Sequence, residues 1–199
     1  MTARIHLVRH CAHAEVGRAL SGRCTGASLT AAGCAQARGL AGQFVRSGSV
    51  VAIHSSPRLR ARETAEAIAA RLGLQVELAD ALDEIDFGEW TGRTFAELDG
   101  DPVWAAWNTR RAIARAPAGE SMAEAVSRAV MHIDRLASRD LAGAVVCVSH
   151  CDIIRGVVAH YVGLGLDRIL AFDVDPGSVT TLLVGDWGGR LLTLNRESL

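Results

Sequence analysis

The residues of this chain best placed to do chemistry are histidines and arginines that follow short apolar runs. Arg9-His10 follows Ile5 to Val8, Ser55 to Arg60 follows Val50 to His54, and Ser149-His150 follows Ala144 to Val148. If these runs are parallel strands of one open sheet, His10, Arg60 and His150 meet at its carboxyl edge, where α/β proteins bind ligands. That edge is a cationic pocket. His150 and Arg60 also fall at or near the starts of following helices, where unpaired backbone N–H groups and the helix dipole favour an anion. A phosphate or similar oxyanion suits it. His6, His54, His132 and His160 lack this shared position and are read as structural histidines. Arg38, Arg46, Arg71, Arg128, Arg135 and Arg139 are read as solvated or paired.

The elements that must position these groups are legible in the apolar pattern. The three runs are short and β-branched or apolar, as in strands buried on both faces of a parallel sheet. Val179 to Val184 and Leu191 to Leu194 read as a terminal hairpin around Asp186-Trp187-Gly188-Gly189. Between strands, Ala37, Leu40, Ala41 and Phe44 recur at helical spacing. So do Ala61, Ala65, Ile68 and Leu72, and then Met122, Ala125, Ala129, Ile133 and Leu136. Ser56-Pro57 offers a cap and a first-turn proline to the second helix, and Ser121 with Glu124 makes a capping box for the third. From about Phe87 to Ala118 the pattern is less regular. Asp101-Pro102 opens a short helix there carrying Trp104 and Trp107, and the segment reads as a cap over one edge. Residues 1–199 thus form a single α/β domain.

Composition narrows the classes further. With 199 residues, 49% hydrophobic and 22% charged, the chain can bury a core and is not of disordered type. A net charge of −1 gives no footprint of a nucleic-acid or membrane-surface binder. All 21 Lys+Arg residues are arginine, which excludes a Walker-type phosphate loop and an internal lysine Schiff base. The five cysteines (Cys11, Cys24, Cys34, Cys147, Cys151) contain no CxxC pair, which argues against a disulfide scaffold or structural zinc. Without a basic-plus-apolar leader or a bilayer-length apolar run, the expected setting is cytoplasmic.

Several segments, in order, resemble the histidine phosphatase superfamily, the phosphoglycerate mutase-like group. They are Leu7-Val8-Arg9-His10, Leu29-Thr30-Ala31-Ala32-Gly33 with Gln36-Ala37, Ser55 to Ala65, Leu82 to Gly92, Gly119-Glu120-Ser121 and Val148-Ser149-His150. The resemblance spans about residues 4 to 184 and implies a three-layer α/β/α sandwich with a mostly parallel central sheet. It implies that His10 is a nucleophile that becomes phosphorylated, that Arg9, Arg60 and His150 hold phosphoryl oxygens, and that Glu84 is the general acid. Cys151 joins the phosphate-binding set. Neither a cofactor nor a metal is expected, and the partner is a small phosphorylated substrate. The chemistry agrees with these roles. An imidazole attacks only when neutral, and neighbouring guanidinium groups keep it so. Their planar forks bond two phosphate oxygens at once and stabilise the charge spread over a transferring phosphoryl group. An alkoxide leaves poorly, so an acid must stand opposite His10, and Glu84 serves if Phe87, Trp90 or a nearby anion raises its pKa. Asp83, Asp86 and Glu89 are read as surface carboxylates.

The sequence departs from the family pattern at Cys11 and Cys151, where small or glycine residues follow the two histidines. It also departs at Val16, where many members carry asparagine, and at Ser28, where many carry proline. His13 or Ser21 is a candidate to replace the asparagine, and Arg23 is a further substrate contact. Specificity is expected from Trp104, Trp107, Asn108, Arg110 and Arg111, with Arg18 and Arg23 in the facing loop. A thiol phosphatase needs an arginine six residues after its cysteine, but Gly17 and Val157 stand there. The His10-x-x-His13 pair lacks the carboxylates a metal would want beside Arg9. Only 35 residues separate Glu84 from Glu120, a short cap that favours hydrolysis over phosphoglycerate mutase-type transfer. A phospho-ligand binding module without turnover is the alternative from another class. A homodimer covering the edge of the terminal hairpin is a further expectation.

Overall fold

The computed structural model describes residues 1–139 and 141–197. Asp140, Ser198 and Leu199, included in the span read as one domain, lie outside the described residues. Six strands form one sheet: β1 (Thr2–Arg9), β2 (Val50–Ser55), β3 (Val76–Leu78), β4 (Ala144–Ser149), β5 (Val179–Gly185) and β6 (Gly188–Arg196). Their order is β3-β2-β4-β1-β5-β6. β4 pairs in parallel with β1 and β2, and β2 with β3, whereas β5 and β6 close the other side antiparallel. The sheet is mostly parallel, as expected, and the hairpin turns at Asp186-Trp187.

Alternating side chains along the strands feed two cores. Ile5, Leu7, Val145 and Cys147 face one, and Val8, Ile53, Val146 and Val148 face the other. Helices α1 (Ala31–Ser47) and α2 (Leu59–Leu72) cover the second face through Leu40, Phe44, Ala65 and Ile68. On the first face, α5 (Met122–Ala137) and α6 (Cys151–Val162) bury Met122, Ile133, Ile154 and Val158. These are the three layers. The cap carries α3 (Phe95–Leu98) and α4 (Pro102–Thr109), with Asp101 accepting from Val103 N and Trp104 N. Trp90 and Trp107 are fully buried in its base, rings edge to face at 5.9 Å, so Trp107 is a core residue rather than the specificity contact expected.

Two expectations about helix starts fare differently. Ser121 and Glu124 form the reciprocal capping box. Ser56-Pro57, in contrast, does not cap α2, which begins at Leu59 with Arg58 in the cap position. The Ser56 hydroxyl is drawn instead toward His150 and Asp83. β3, a short strand exposed at Glu77 and Leu78, was not anticipated because three residues carry too little periodicity. Among the described residues no helix is long and apolar enough to cross a membrane.

Candidate active site

The parallel register brings the chemistry to one edge. Arg9 of β1 lies opposite Ser149 of β4, and His10 N–H donates to the Ser149 carbonyl at 2.9 Å. Ser56 N–H donates to the Val148 carbonyl at 2.9 Å, tying the end of β2 to the same point. His10, Arg60 and His150 therefore converge as predicted. Arg60 is the second residue of α2, and His150 occupies the cap position of α6 without a side-chain cap of its own. All three are buried.

His10 is arranged as a neutral base with one open nitrogen. Its Nδ1 lies 3.0 Å from the Cys11 carbonyl, an acceptor, so Nδ1 carries the proton and Nε2 the lone pair. Burial, and then the Arg60 charge, hold its pKa well below the ordinary histidine value. Cys11 N–H donates to Thr64 Oγ1 at 3.0 Å, and that hydroxyl donates to the Arg60 carbonyl, so α2 braces the His10 turn. Cys11 itself is buried, with its thiol pushed up to about 11 by burial.

Arg60 is 1% exposed, yet its Nε and one terminal nitrogen have no hydrogen-bond partner among the described residues. Its other terminal nitrogen donates to the Gly22 carbonyl at 2.8 Å and to His150 Nδ1 at 3.1 Å. Arg9 donates to the Val174 carbonyl, and its Nε is likewise buried without a partner. Buried guanidinium N–H groups normally find acceptors. Arg9 and Arg60, which carry these unmet donors, line a cavity of about 430 Å³ together with His10 and Glu84.

Glu84 completes the floor. Its Oε1 accepts from Ile85 N–H at 2.9 Å, and its Oε2 lies 3.7 Å from His150 Nδ1. Burial raises its pKa to about 7, reinforced by the Asp152 charge and opposed by Arg60 and Arg9. This is the environment a carboxylic acid needs to hold a proton near neutrality.

Other predicted contacts separate. His13, Ser21 and Cys151 line the cavity, as does Val16 at the position of the family asparagine. The His13 ring stands 5.1 Å from that of His10, and burial lowers its pKa to about 4. Burial pushes the Cys151 thiol up to about 11, and the thiol points to the Val174 carbonyl. His150 is fully buried behind Arg60 and Glu84 and does not form part of the cavity wall. Arg23 turns away from the cavity: it donates to the Glu84 carbonyl and to Glu120, each at 2.9 Å. Of the expected specificity residues, Trp104, Asn108 and Arg111 line the cavity, and Trp107, Arg110 and Arg18 do not.

Three residues were missed or misread. Asp83 is not a surface carboxylate. It is 5% exposed, accepts from Glu84 N–H at 2.8 Å and lies 3.0 Å from Arg58 Nε. Arg128 of α5 does more than pair with Glu120. It donates to the carbonyls of Ala81, Asp83 and Glu84, holding the loop that carries the acid. Asp152, in the first turn of α6, lines the cavity and pairs with Arg111 at 2.7 Å. The Gly119-Glu120-Ser121 segment hinted at Arg128's partner, but no spacing rule joins residue 128 to residues 81–84.

Fold and site together define an α/β protein that gathers a neutral imidazole, a buried acid and two arginines with unmet donors around one cavity. The chain belongs to the histidine phosphatase superfamily (branch 1), whose family model matches residues 5–197. It is 31% identical over 190 residues to an acid phosphatase of Mycobacterium tuberculosis, covering 90% of this chain and 87% of that protein. It also matches a bifunctional protein of Mycobacterium tuberculosis, 33% identical over 181 residues, covering 89% of this chain and 49% of that longer relative. Among solved structures it is similar to an Entamoeba histolytica phosphoserine phosphatase mutant in complex with phosphoserine. There the TM-score is 0.86 at 26% identity, covering 97% of this chain and 96% of the other.

Proposed function

We infer that this protein hydrolyses the monoester of a small phosphorylated metabolite through a phosphohistidine at His10. The observation that carries the reading is the lone-pair Nε2 of His10, fixed by the Cys11 carbonyl beside the unmet donors of Arg60 and Arg9. In the first step Nε2 forms a bond to phosphorus as the ester P–O bond breaks. Glu84, protonated near neutrality, gives its proton to the departing oxygen. In the second, water attacks the phosphohistidine, Glu84 takes the water's proton, and His10 leaves neutral with inorganic phosphate. Arg9 and Arg60 bind the equatorial oxygens throughout, the role Mg²⁺ fills in kinases.

A short cap, with the cavity open to water, supports hydrolysis over mutase-type transfer. Five free cysteines fit the reducing cytoplasm. The test is hydrolysis of an aryl phosphate with and without EDTA, by wild type and His10→Ala, with acid-labile phosphoprotein trapped by rapid quench. Turnover that survives EDTA, and a trapped phosphoprotein that vanishes in His10→Ala, support the reading. Tight phosphate binding without turnover moves the assignment to a binding module.

A further inference from the structure

A single hydrogen can lie between Ser56 Oγ and Asp83 Oδ1, which are 3.2 Å apart, and a carboxylate only accepts. The serine hydroxyl therefore spends its hydrogen on Asp83. Ser56 Oγ also lies 2.8 Å from His150 Nε2, where it is left as the acceptor, so His150 must carry its proton on Nε2. The opposite nitrogen agrees, because Nδ1 faces an Arg60 N–H donor at 3.1 Å and must present a lone pair. Two independent contacts thus select one tautomer of a ring that is fully buried. Asp83 is in turn fixed from behind by Arg58 Nε at 3.0 Å and Arg23 Nε at 3.6 Å, and it receives the Glu84 N–H at 2.8 Å.

We propose that Ser56 and Asp83 are positioning residues that hold His150 in the Nε2–H tautomer, so that its Nδ1 lone pair accepts from Arg60 and fixes the guanidinium. The inference rests on the catalytic reading above for its effect on rate, but not for its effect on the tautomer. Without the Ser56 hydroxyl, the nearest acceptor for the buried Nε2–H is Asp83 Oδ1 at 3.9 Å, beyond hydrogen-bond reach, and the ring relaxes toward Nδ1–H. That form sets donor against donor at Arg60. The guanidinium then shifts from the place where its unmet N–H groups meet the anion. Asp83 exerts the same control one bond further back, by fixing the direction of the serine hydrogen, and also anchors the backbone of Glu84.

The test compares wild type with Ser56→Ala, Asp83→Asn and Ser56→Thr, which restores a hydroxyl. The readouts are 15N NMR of histidine-labelled protein, the pH profile of kcat for an aryl phosphate, and inhibition by inorganic phosphate. Thermal unfolding establishes that each variant is folded. Expected is a wild-type His150 with an unprotonated Nδ1, and a shift toward Nδ1–H in Ser56→Ala and Asp83→Asn. These two variants also lose about 10- to 100-fold in kcat and bind phosphate more weakly, the scale of losing a residue that orients a working imidazole. Ser56→Thr recovers the tautomer and most of the rate. A wild-type Nδ1–H tautomer, or unchanged tautomer and kcat profile in both folded variants, overturns the proposal. A wild type without turnover defeats the catalytic reading, while the NMR result still decides the tautomer.

Discussion

At the scale of single residues, the site separates two jobs by burying titratable groups unequally among charges. His10 is kept neutral by burial and Arg60, while Glu84 is kept protonated by burial and Asp152. The stability consequence of Glu84 has a definite sign. Its folded pKa of about 7 exceeds the ordinary 4.5, so the folded state holds an extra proton between those values. Stability from this group is full below 4.5 and is lost as pH rises through 7. Glu84→Gln, which has no charge to bury, is expected to be more stable than wild type at pH 8 by about 1–3 kcal/mol, the advantage vanishing near pH 4. The same variant slows transfer from an alkyl phosphate by roughly 10²- to 10⁴-fold, and much less from an aryl phosphate whose oxygen leaves unaided. Urea unfolding at the two pH values and single-turnover kinetics with both esters check the pair. An equal rate loss for both esters would remove Glu84 as the acid.

Among the elements, the position of Glu84 depends on α5 rather than on its own loop, which runs between short 3-10 turns at Asp80–Leu82 and Gly88–Trp90. Arg128, one-fifth exposed, places its guanidinium on the carbonyls of Ala81, Asp83 and Glu84 while Glu120 grips it from the other side. Burial would raise the Glu120 pKa, but the hydrogen bonds from Arg128 and Asp86 N–H hold it below the ordinary value. Arg128→Met keeps the aliphatic stem and strips the loop carbonyls and Glu120 of their donors. It should cost about 2–4 kcal/mol in stability and lower kcat more than it raises KM, measured by denaturant titration and steady-state kinetics. Unaltered kcat in a folded variant would show that the loop holds Glu84 unaided. The sequence made the strand ends legible because His10, Arg60 and His150 each follow an apolar run. Arg128 and Asp83 were not legible, because their roles come from tertiary contacts across about 45 and 27 positions of chain. The cap of α2 was misread for the same reason. Local geometry offers Ser56 to Arg58 N–H at 3.3 Å, but the buried His150 and Asp83 claim its hydroxyl.

For the whole molecule, the cost of gathering so many neutral imidazoles is sensitivity to acid. Periodicity foretold the strands and helices and the family resemblance the layers, whereas the burial of His6, His54 and His132 depended on which side of each element faced its neighbours. His6, His13 and His132 are lowered to about 4, and His10, His54 and His150 are also lowered, burial being the first cause in every case. In the unfolded chain all six titrate near 6.5. As pH falls from 6.5 toward 4 the unfolded state binds protons that the folded state refuses, so stability falls, by up to about 1.4 kcal/mol per pH unit for each. Glu84 works in the opposite direction over 4.5 to 7, but one group does not offset six. The melting temperature is therefore expected to drop steeply between pH 6.5 and 5. Millimolar inorganic phosphate should recover part of the loss, because an anion bound between Arg9 and Arg60 stabilises the folded state by mass action. Chloride at equal ionic strength separates general screening from occupancy of the site, and His10→Ala removes one of the six protons from the slope. A melting temperature flat from pH 7 to 5 would mean that these histidines protonate within the fold, and with it the neutral state required of His10 would fail.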